Sequence, residues 1–227
     1  CLSVFEEAIV KTCILVYGPL PDTKAVKVAV TEPLEENLYD AATTVVAQDR
    51  LDSMPGKSFK PDLICNWEML QNLAEISLPL GSICYVTFGM RSCAPGVGQG
   101  GKDRLVIQAP STPNAKAYME GREIGRYSIS WAERYIDYRP EEMYSPRSPE
   151  LFEVDKIVSQ SMLSEKRLVA AFDRDHRYVE QSLVCIVPAA SDEQQNGLPL
   201  SLLYILAIMN SNVACFYFAR RIIGDSL

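Results

Sequence analysis

Apolar residues in this chain come mostly in short runs rich in β-branched side chains, bounded by Gly, Pro and Asp, and helical spacing is confined to a few stretches. Residues 8–17 (AIVKTCILVY), 25–30 (AVKVAV) and 43–48 (TTVVAQ) read as strands, and Gly18-Pro19-Leu20-Pro21-Asp22 predicts that the first two form a hairpin. A short helix is expected over 33–41 and a loop over 52–62. Trp67, Leu70, Leu73, Ala74 and Ile76 recur at helical spacing, which predicts a helix over 66–76 with Asn66 as its N-cap. Residues 80–91 read as a strand, 92–102 as a Gly-rich loop, 103–108 as a resumed strand and 110–114 as a turn. Over 121–138 the pattern gives a short strand, a turn, a strand about 127–131 and another at 135–138. Residues 140–152 are punctuated by Pro, with a helical turn at 149–152. Strands follow at 156–161, 167–173 and 183–187, with Asp173-Arg174-Asp175-His176 as a hairpin turn and 189–197 as a polar loop. Residues 200–220 read as a helix whose Leu202, Leu206, Met209, Val213 and Phe216 form one stripe, widened by Ile205 and Ile208 and expected in the core. The expected class is α+β: a mixed, largely antiparallel sheet with a few packed helices and a buried C-terminal helix, in one domain over 1–227.

Composition changes this picture little. The chain has 227 residues, 48% hydrophobic and 22% charged, as globular domains do, and needs no disulfide or metal staple. It opens on Cys1 and lacks a signal peptide, so a fragment of a longer chain is expected. Its seven cysteines include no CxxC pair and there is a single histidine, which points to small buried thiols in a reducing cytoplasm and away from a zinc site. Residues 198–219 have the length of a membrane span, but Asn210-Ser211-Asn212 at the middle argues against one. The net charge of −7 counts against a protein with a basic surface throughout, but an acidic back can coexist with a basic groove. Arginines recur in the middle, at 91, 104, 122, 126, 134 and 139 among others, many beside acids.

Candidate chemistry is sparse. His176, the one possible triad base, sits among charges in a turn and reads as solvated. The glycines of 96–101 lead into Lys102-Asp103-Arg104 and a strand rather than opening a helix, so they read as a surface loop or a partner-touching loop before a nucleotide site. Carboxylates are scattered, with none of the spacing of a two-metal nuclease. The remaining constellation is Arg122, Arg126, Tyr127, Trp131, Arg134, Tyr135, Tyr138 and Arg139. Arginine forks read guanine edges or hold phosphates, and aromatics stack on bases. Tyr127, Ile129 and Trp131 equally fit the inward face of a strand.

Several elements, in order, resemble the TaqI-like specificity domain, the target-recognition domain C-terminal to the catalytic domain of many adenine-specific DNA methyltransferases and Type IIG restriction–modification enzymes. They are Val4-Phe5-Glu6-Glu7-Ala8 with the run to Tyr17, Leu80-Gly81-Ser82-Ile83, Gly89-Met90-Arg91-Ser92, Gly121-Arg122-Glu123-Ile124-Gly125-Arg126-Tyr127, residues 149–152 with Lys156-Ile157-Val158, the strand over 167–173, and 202–213. The departures are Cys93 where the family's Gly-Ile/Met-x-Thr-Gly element has its second glycine, Asn212 for the lysine of Asn-Ser-Lys, and Asp155 for proline before Lys156. The family's Asn-Pro-Pro-Tyr and S-adenosylmethionine motifs do not occur.

The resemblance implies a DNA target-recognition domain with no catalytic residue and no cofactor of its own. S-adenosylmethionine would belong to the parent's catalytic domain. The implied partners are double-stranded DNA and an N-terminal methyltransferase domain of the same polypeptide, in a bacterial or archaeal cytoplasm. The DNA-binding residues expected on this basis are Arg91, Ser92, Lys102, Arg122, Arg126, Tyr127 and Lys156, with Lys102 and Lys156 on phosphates and Trp131 in the core. The alternatives are a protein-interaction module with an acidic surface and no role on DNA, and a small hydrolase with an unrecognised site.

Overall fold

The structure, a computed structural model, describes residues 25–29, 43–47, 61–94, 104–162, 167–189 and 201–221. The strand expected over 8–17, the helix over 33–41, Lys102 and most of the Gly-rich loop fall outside those residues. The chain divides into two compact units, residues 1–73 and 74–227.

In the first unit β1 (Ala25–Ala29) pairs antiparallel with β2 (Thr43–Ala47), with Lys27 opposite Val45. The hairpin expected between 8–17 and this strand lies outside the described residues. Helix α1 (Pro61–Glu75) starts at Pro61 rather than at Asn66, which lies inside it. The reason is local: proline in the first turn has its φ preset and lacks an N–H that would go unpaired there.

The second unit is built on two four-stranded sheets. The first runs in the order β10 (Ala170–Asp173), β9 (Lys156–Gln160), β12 (Leu183–Pro188), β3 (Cys84–Phe88), antiparallel throughout. Its two faces enter different cores because successive side chains alternate. Cys185, Val158 and Ala171 line up across three strands and face one cluster; Val184 and Ala170 flank Ser159 and face the other. The second sheet has the order β11 (Tyr178–Val179), β5 (Ala115–Met119), β8 (Arg134–Asp137), β4 (Val106–Ile107). Tyr118, Met119, Ile136, Tyr178 and Val179 join Val158 and Cys185 in the larger cluster, with the Phe152 ring 4.6 Å from that of Tyr178. The predicted α+β class with a mixed, largely antiparallel arrangement is what the molecule has.

Some connections differ from expectation. The turn at 173–176 does not close a hairpin: the strand after it, β11, joins the other sheet, parallel to β5. Asp173 accepts from the backbone N–H groups of Asp175 and Arg177, which bends the chain away from β10. The C-terminal helix is two helices, α2 (Leu202–Met209) and α3 (Asn212–Arg221), bent by 60°. That break ends the apolar stripe. Ile205, Leu206 and Met209 are buried against Ile157, Ala170 and Ile186, whereas Val213 is 57% exposed and Ile208 is exposed too. No single helix among the described residues is long and apolar enough to cross a membrane.

Candidate nucleic-acid interface

Strand β11 is the middle of a parallel trio. On one side it pairs with β5, Val179 opposite Met119; on the other, Met90 bridges Glu180 in parallel and its N–H donates to the Val179 carbonyl at 2.9 Å. Because the three segments run the same way, the residues that follow leave from one end: Arg91 after Met90, and Gly121-Arg122 after Met119. Neighbouring strands lie about 4.8 Å apart, so the backbones at Met90 and Met119 are roughly 10 Å apart. The approach depends on Gly89, where a Cβ would stand 2.3 Å from the Val179 carbonyl oxygen and 2.5 Å from that of Glu180. On the other flank the Gly121 N–H donates to Ser182 Oγ at 3.0 Å, and Gln160 Nε2 donates to the carbonyls of Gly121 (2.9 Å) and Ile124 (3.2 Å). The two segments singled out from sequence, 89–93 and 121–127, are thus held side by side.

Arg91 is half buried, its backbone paired both ways with Ser145, and its guanidinium stands 5.7 Å from the Tyr144 ring centroid. The aromatic face restricts where the fork points without using its donors. Arg122 is exposed, its side chain 72% accessible, with Glu120 at 3.3 Å.

The loop carrying Arg122 is fixed by a buried carboxylate. Glu123 accepts from the Glu120 and Ala132 N–H groups (2.7 and 2.8 Å) and from Arg134, which also reaches Glu120 at 3.1 Å. Burial works against the Arg134 charge, but the Glu123 and Glu120 carboxylates outweigh it and raise the hold of the guanidinium on its proton. From this base a hairpin projects, β6 (Ile124–Gly125) against β7 (Ser128–Ile129), with Arg126 and Tyr127 at the tip. Tyr127 has φ of 61° and is 53% exposed. A non-glycine residue in that region costs about 1–3 kcal/mol and persists because its surroundings impose it. Here the Tyr127 N–H donates to the Ala170 carbonyl at 2.9 Å, and Arg126 Nη2 donates to the Asn210 carbonyl at 2.6 Å. The Arg126 guanidinium also lies 5.5 Å from the Tyr127 ring centroid.

Two of the residues expected to touch DNA are elsewhere. Lys156 is 0% exposed: its Nζ sits 2.7 Å from Asp173 and donates to the Phe152 carbonyl at 2.7 Å, so it is a core ion pair and not a phosphate contact. The register explains this, because Asp173 lies directly opposite Lys156 across β9 and β10. Arg177 completes the cluster at 2.9 Å from Asp173 and lies over Trp131, whose Nε1 donates to the Tyr118 carbonyl. Trp131 is partly buried against the larger core, as expected. Ser92 is buried, with its carbonyl accepting from Tyr144 N–H. Lys102 lies outside the described residues. Arg104 and Arg139 pair with Glu142, and Arg139 also with Asp137, so their charge is locally balanced.

Sequence reasoning missed Asn210 and Glu123 as organisers. Asn210 was visible as a polar residue inside an apolar stripe. Glu123 looked like any exposed acid beside arginines. Among the described residues no three His, Cys, Asp or Glu side chains converge to hold a metal ion.

No curated protein matches the chain. Residues 116–225 match the model of the TaqI-like C-terminal specificity domain. The matched span begins within β5 and contains the hairpin, the Lys156–Asp173 pair and both C-terminal helices. Over that span the chain is similar to the TaqI-like C-terminal specificity domain family.

Proposed function

We propose that this chain gives sequence specificity to a DNA-modifying enzyme by reading duplex DNA. The observation that carries the reading is the display of Arg91 and Arg122 from one end of the parallel trio, beside a strained, exposed hairpin tip. Arginine forks suit guanine O6 and N7 in the major groove, and phosphates beside it. Both bases of support are pinned by backbone hydrogen bonds, so a contact costs little ordering. A specificity domain is not itself catalytic. The chemistry would come from a methyltransferase domain on the N-terminal side of the same polypeptide, with S-adenosylmethionine as its cofactor and the N6 of adenine as its target, in a bacterial or archaeal cytoplasm. That enzyme must take the adenine out of the stack, while this chain holds the flanking duplex. Whether it is also an endonuclease is a separate property of the catalytic part.

The test is fluorescence anisotropy of the 227-residue chain on labelled duplexes across a salt series. Arg122→Ala and Arg91→Ala are expected to weaken binding. A residue on a phosphate lowers the slope of log K against log salt by about 0.9, whereas a base reader loses about 1–3 kcal/mol on one sequence only. Unchanged binding by both variants overturns the assignment.

A second reading has an observation in its favour. Tyr85, Val86 and Phe88 are exposed on β3, an edge strand, and the chain carries a net charge of −7. Both suit a module that docks another polypeptide, and a chain with no affinity for duplex DNA at low salt would favour it.

A further inference from the structure

Strand β10 is the outer strand of its sheet, and Ala170 stands at its start, opposite Ser159. Its outward peptide groups are met by a side chain. Asn210 Nδ2 donates to the Ala170 carbonyl at 2.9 Å, and the Ala170 N–H donates to Asn210 Oδ1 at 3.2 Å. The asparagine amide thus does what one more strand residue would do, and it is 1% exposed. Asn210 is also where α2 ends: its N–H donates to the Leu206 carbonyl. Its own carbonyl receives Arg126, and the Ala170 carbonyl receives Tyr127 N–H as well. Four residues from three distant parts of the chain therefore meet at one junction, and both tip residues of the hairpin end on it.

We infer that Asn210 and Arg126 are positioning residues for DNA reading: the Asn210 clamp on Ala170 sets where the hairpin tip lies, and the Arg126 guanidinium is used as a strut on the Asn210 carbonyl rather than on a base. This rests on the DNA reading proposed above and divides the labour within it. Arg122, in the turn that precedes the hairpin, and Tyr127, at its tip, make the contacts; Arg126, which sequence reasoning ranked as their equal, holds the tip. The same geometry accounts for an asparagine at the break between α2 and α3. Alanine there would leave the Ala170 N–H without its partner at a buried edge, and serine is too short to reach both groups of the peptide.

The experiment is selection of bound duplexes from a randomised pool by the 227-residue chain, followed by sequencing, for wild type, Arg126→Ala, Arg126→Lys, Arg122→Ala and Asn210→Ala. Melting curves check that each is folded. A reader and a strut leave different marks. Loss of a reader flattens the preference at one base pair, while loss of a strut lowers it at every position the hairpin touches. Arg126→Ala is expected to reduce enrichment about tenfold, the scale of one hydrogen bond to a charged group, spread over several positions and matching the pattern of Asn210→Ala. Arg126→Lys is expected to restore most of it, because a lysine still donates to a carbonyl but cannot replace a bidentate fork on guanine. Arg122→Ala is expected to flatten one position. If Arg126→Ala flattens a single position and Arg126→Lys fails to restore it, Arg126 is a reader and the inference is wrong. It is equally wrong if folded Asn210→Ala keeps the wild-type motif at full strength. Should Asn210→Ala not fold, the two Arg126 variants, at an exposed tip, decide alone. A wild-type chain that enriches no motif defeats the DNA reading itself, an outcome separate from failure of the strut.

Discussion

Replacement of Lys156 by methionine separates a core ion pair from a phosphate contact. Methionine keeps the length and most of the volume, so packing changes little and the loss is chiefly that of the charge. In the native protein Lys156 Nζ serves Asp173 and the Phe152 carbonyl, both at 2.7 Å and out of solvent. Removing one partner of a buried pair costs about 3–5 kcal/mol when the other is left bare. Asp173 is not left bare: Arg177 stays at 2.9 Å and the Asp175 and Arg177 N–H groups still donate to it. The Phe152 carbonyl, however, loses its lysine. The expected cost of Lys156→Met is therefore about 2–3 kcal/mol, at or below the low end of that range. Asp173→Leu, which strands Lys156 in the core, should cost more, about 4–5 kcal/mol. Urea unfolding followed by circular dichroism reads these directly. With a slope of about 2 kcal/mol per molar, Lys156→Met should lower the midpoint by roughly 1–1.5 M. The variant should leave the salt dependence of DNA binding unchanged. An unchanged urea midpoint together with a shallower salt slope would refute the reasoning and return Lys156 to the DNA surface.

Other predictions follow from single contacts. Gly89→Ala should destabilise the second unit by about 3 kcal/mol, because the new Cβ meets backbone oxygens that cannot move aside; calorimetry should show a melting point lower by roughly 6–12 °C, and an unaltered one would contradict the parallel trio. The Asp137 carboxyl is held below the usual carboxylate range, first by the Thr112 hydroxyl at 2.8 Å and then by Arg139. A folded-state value below the unfolded one gives stability that is present above about pH 4 and lost as pH falls through the depressed value. Thr112→Val should raise the Asp137 midpoint in a carboxyl NMR titration and move acid unfolding to higher pH, and an unmoved midpoint would count against the Thr112 contact. Cys185, whose thiol burial pushes up to about 12, should resist alkylation near pH 8 in the folded protein while the half-buried Cys93 reacts, as read by peptide mass mapping.

Much of the core was legible because its strands are β-branched runs of ordinary length: 156–160, 170–173, 183–188 and 84–88 all lie within or close to the expected segments. What was hidden depends on pairing at long range. β5 (Ala115–Met119) reads AKAYM, with no β-branched residue, and is a strand because β8 and β11 flank it. A lysine at the head of a strand reads as solvated until the register places an aspartate opposite. Arg126 and Arg122, alike in sequence, differ because one reaches the end of a helix 84 residues away and the other stays beside Glu120. Asn210 was seen as an oddity in an apolar stripe; only the free edge of β10 shows what it does.

The central claim, that this chain reads DNA sequence from the end of its parallel trio, is tested most directly by sequencing duplexes retained from a randomised pool at roughly 0.1 M salt, where non-specific attraction is screened beyond about 10 Å. The account predicts a defined motif with the wild-type chain, and loss of that motif when Arg91 and Arg122 are replaced together by alanine in a protein that still melts cooperatively. A retained pool as random as the input, or one whose motif survives the double replacement, would contradict it.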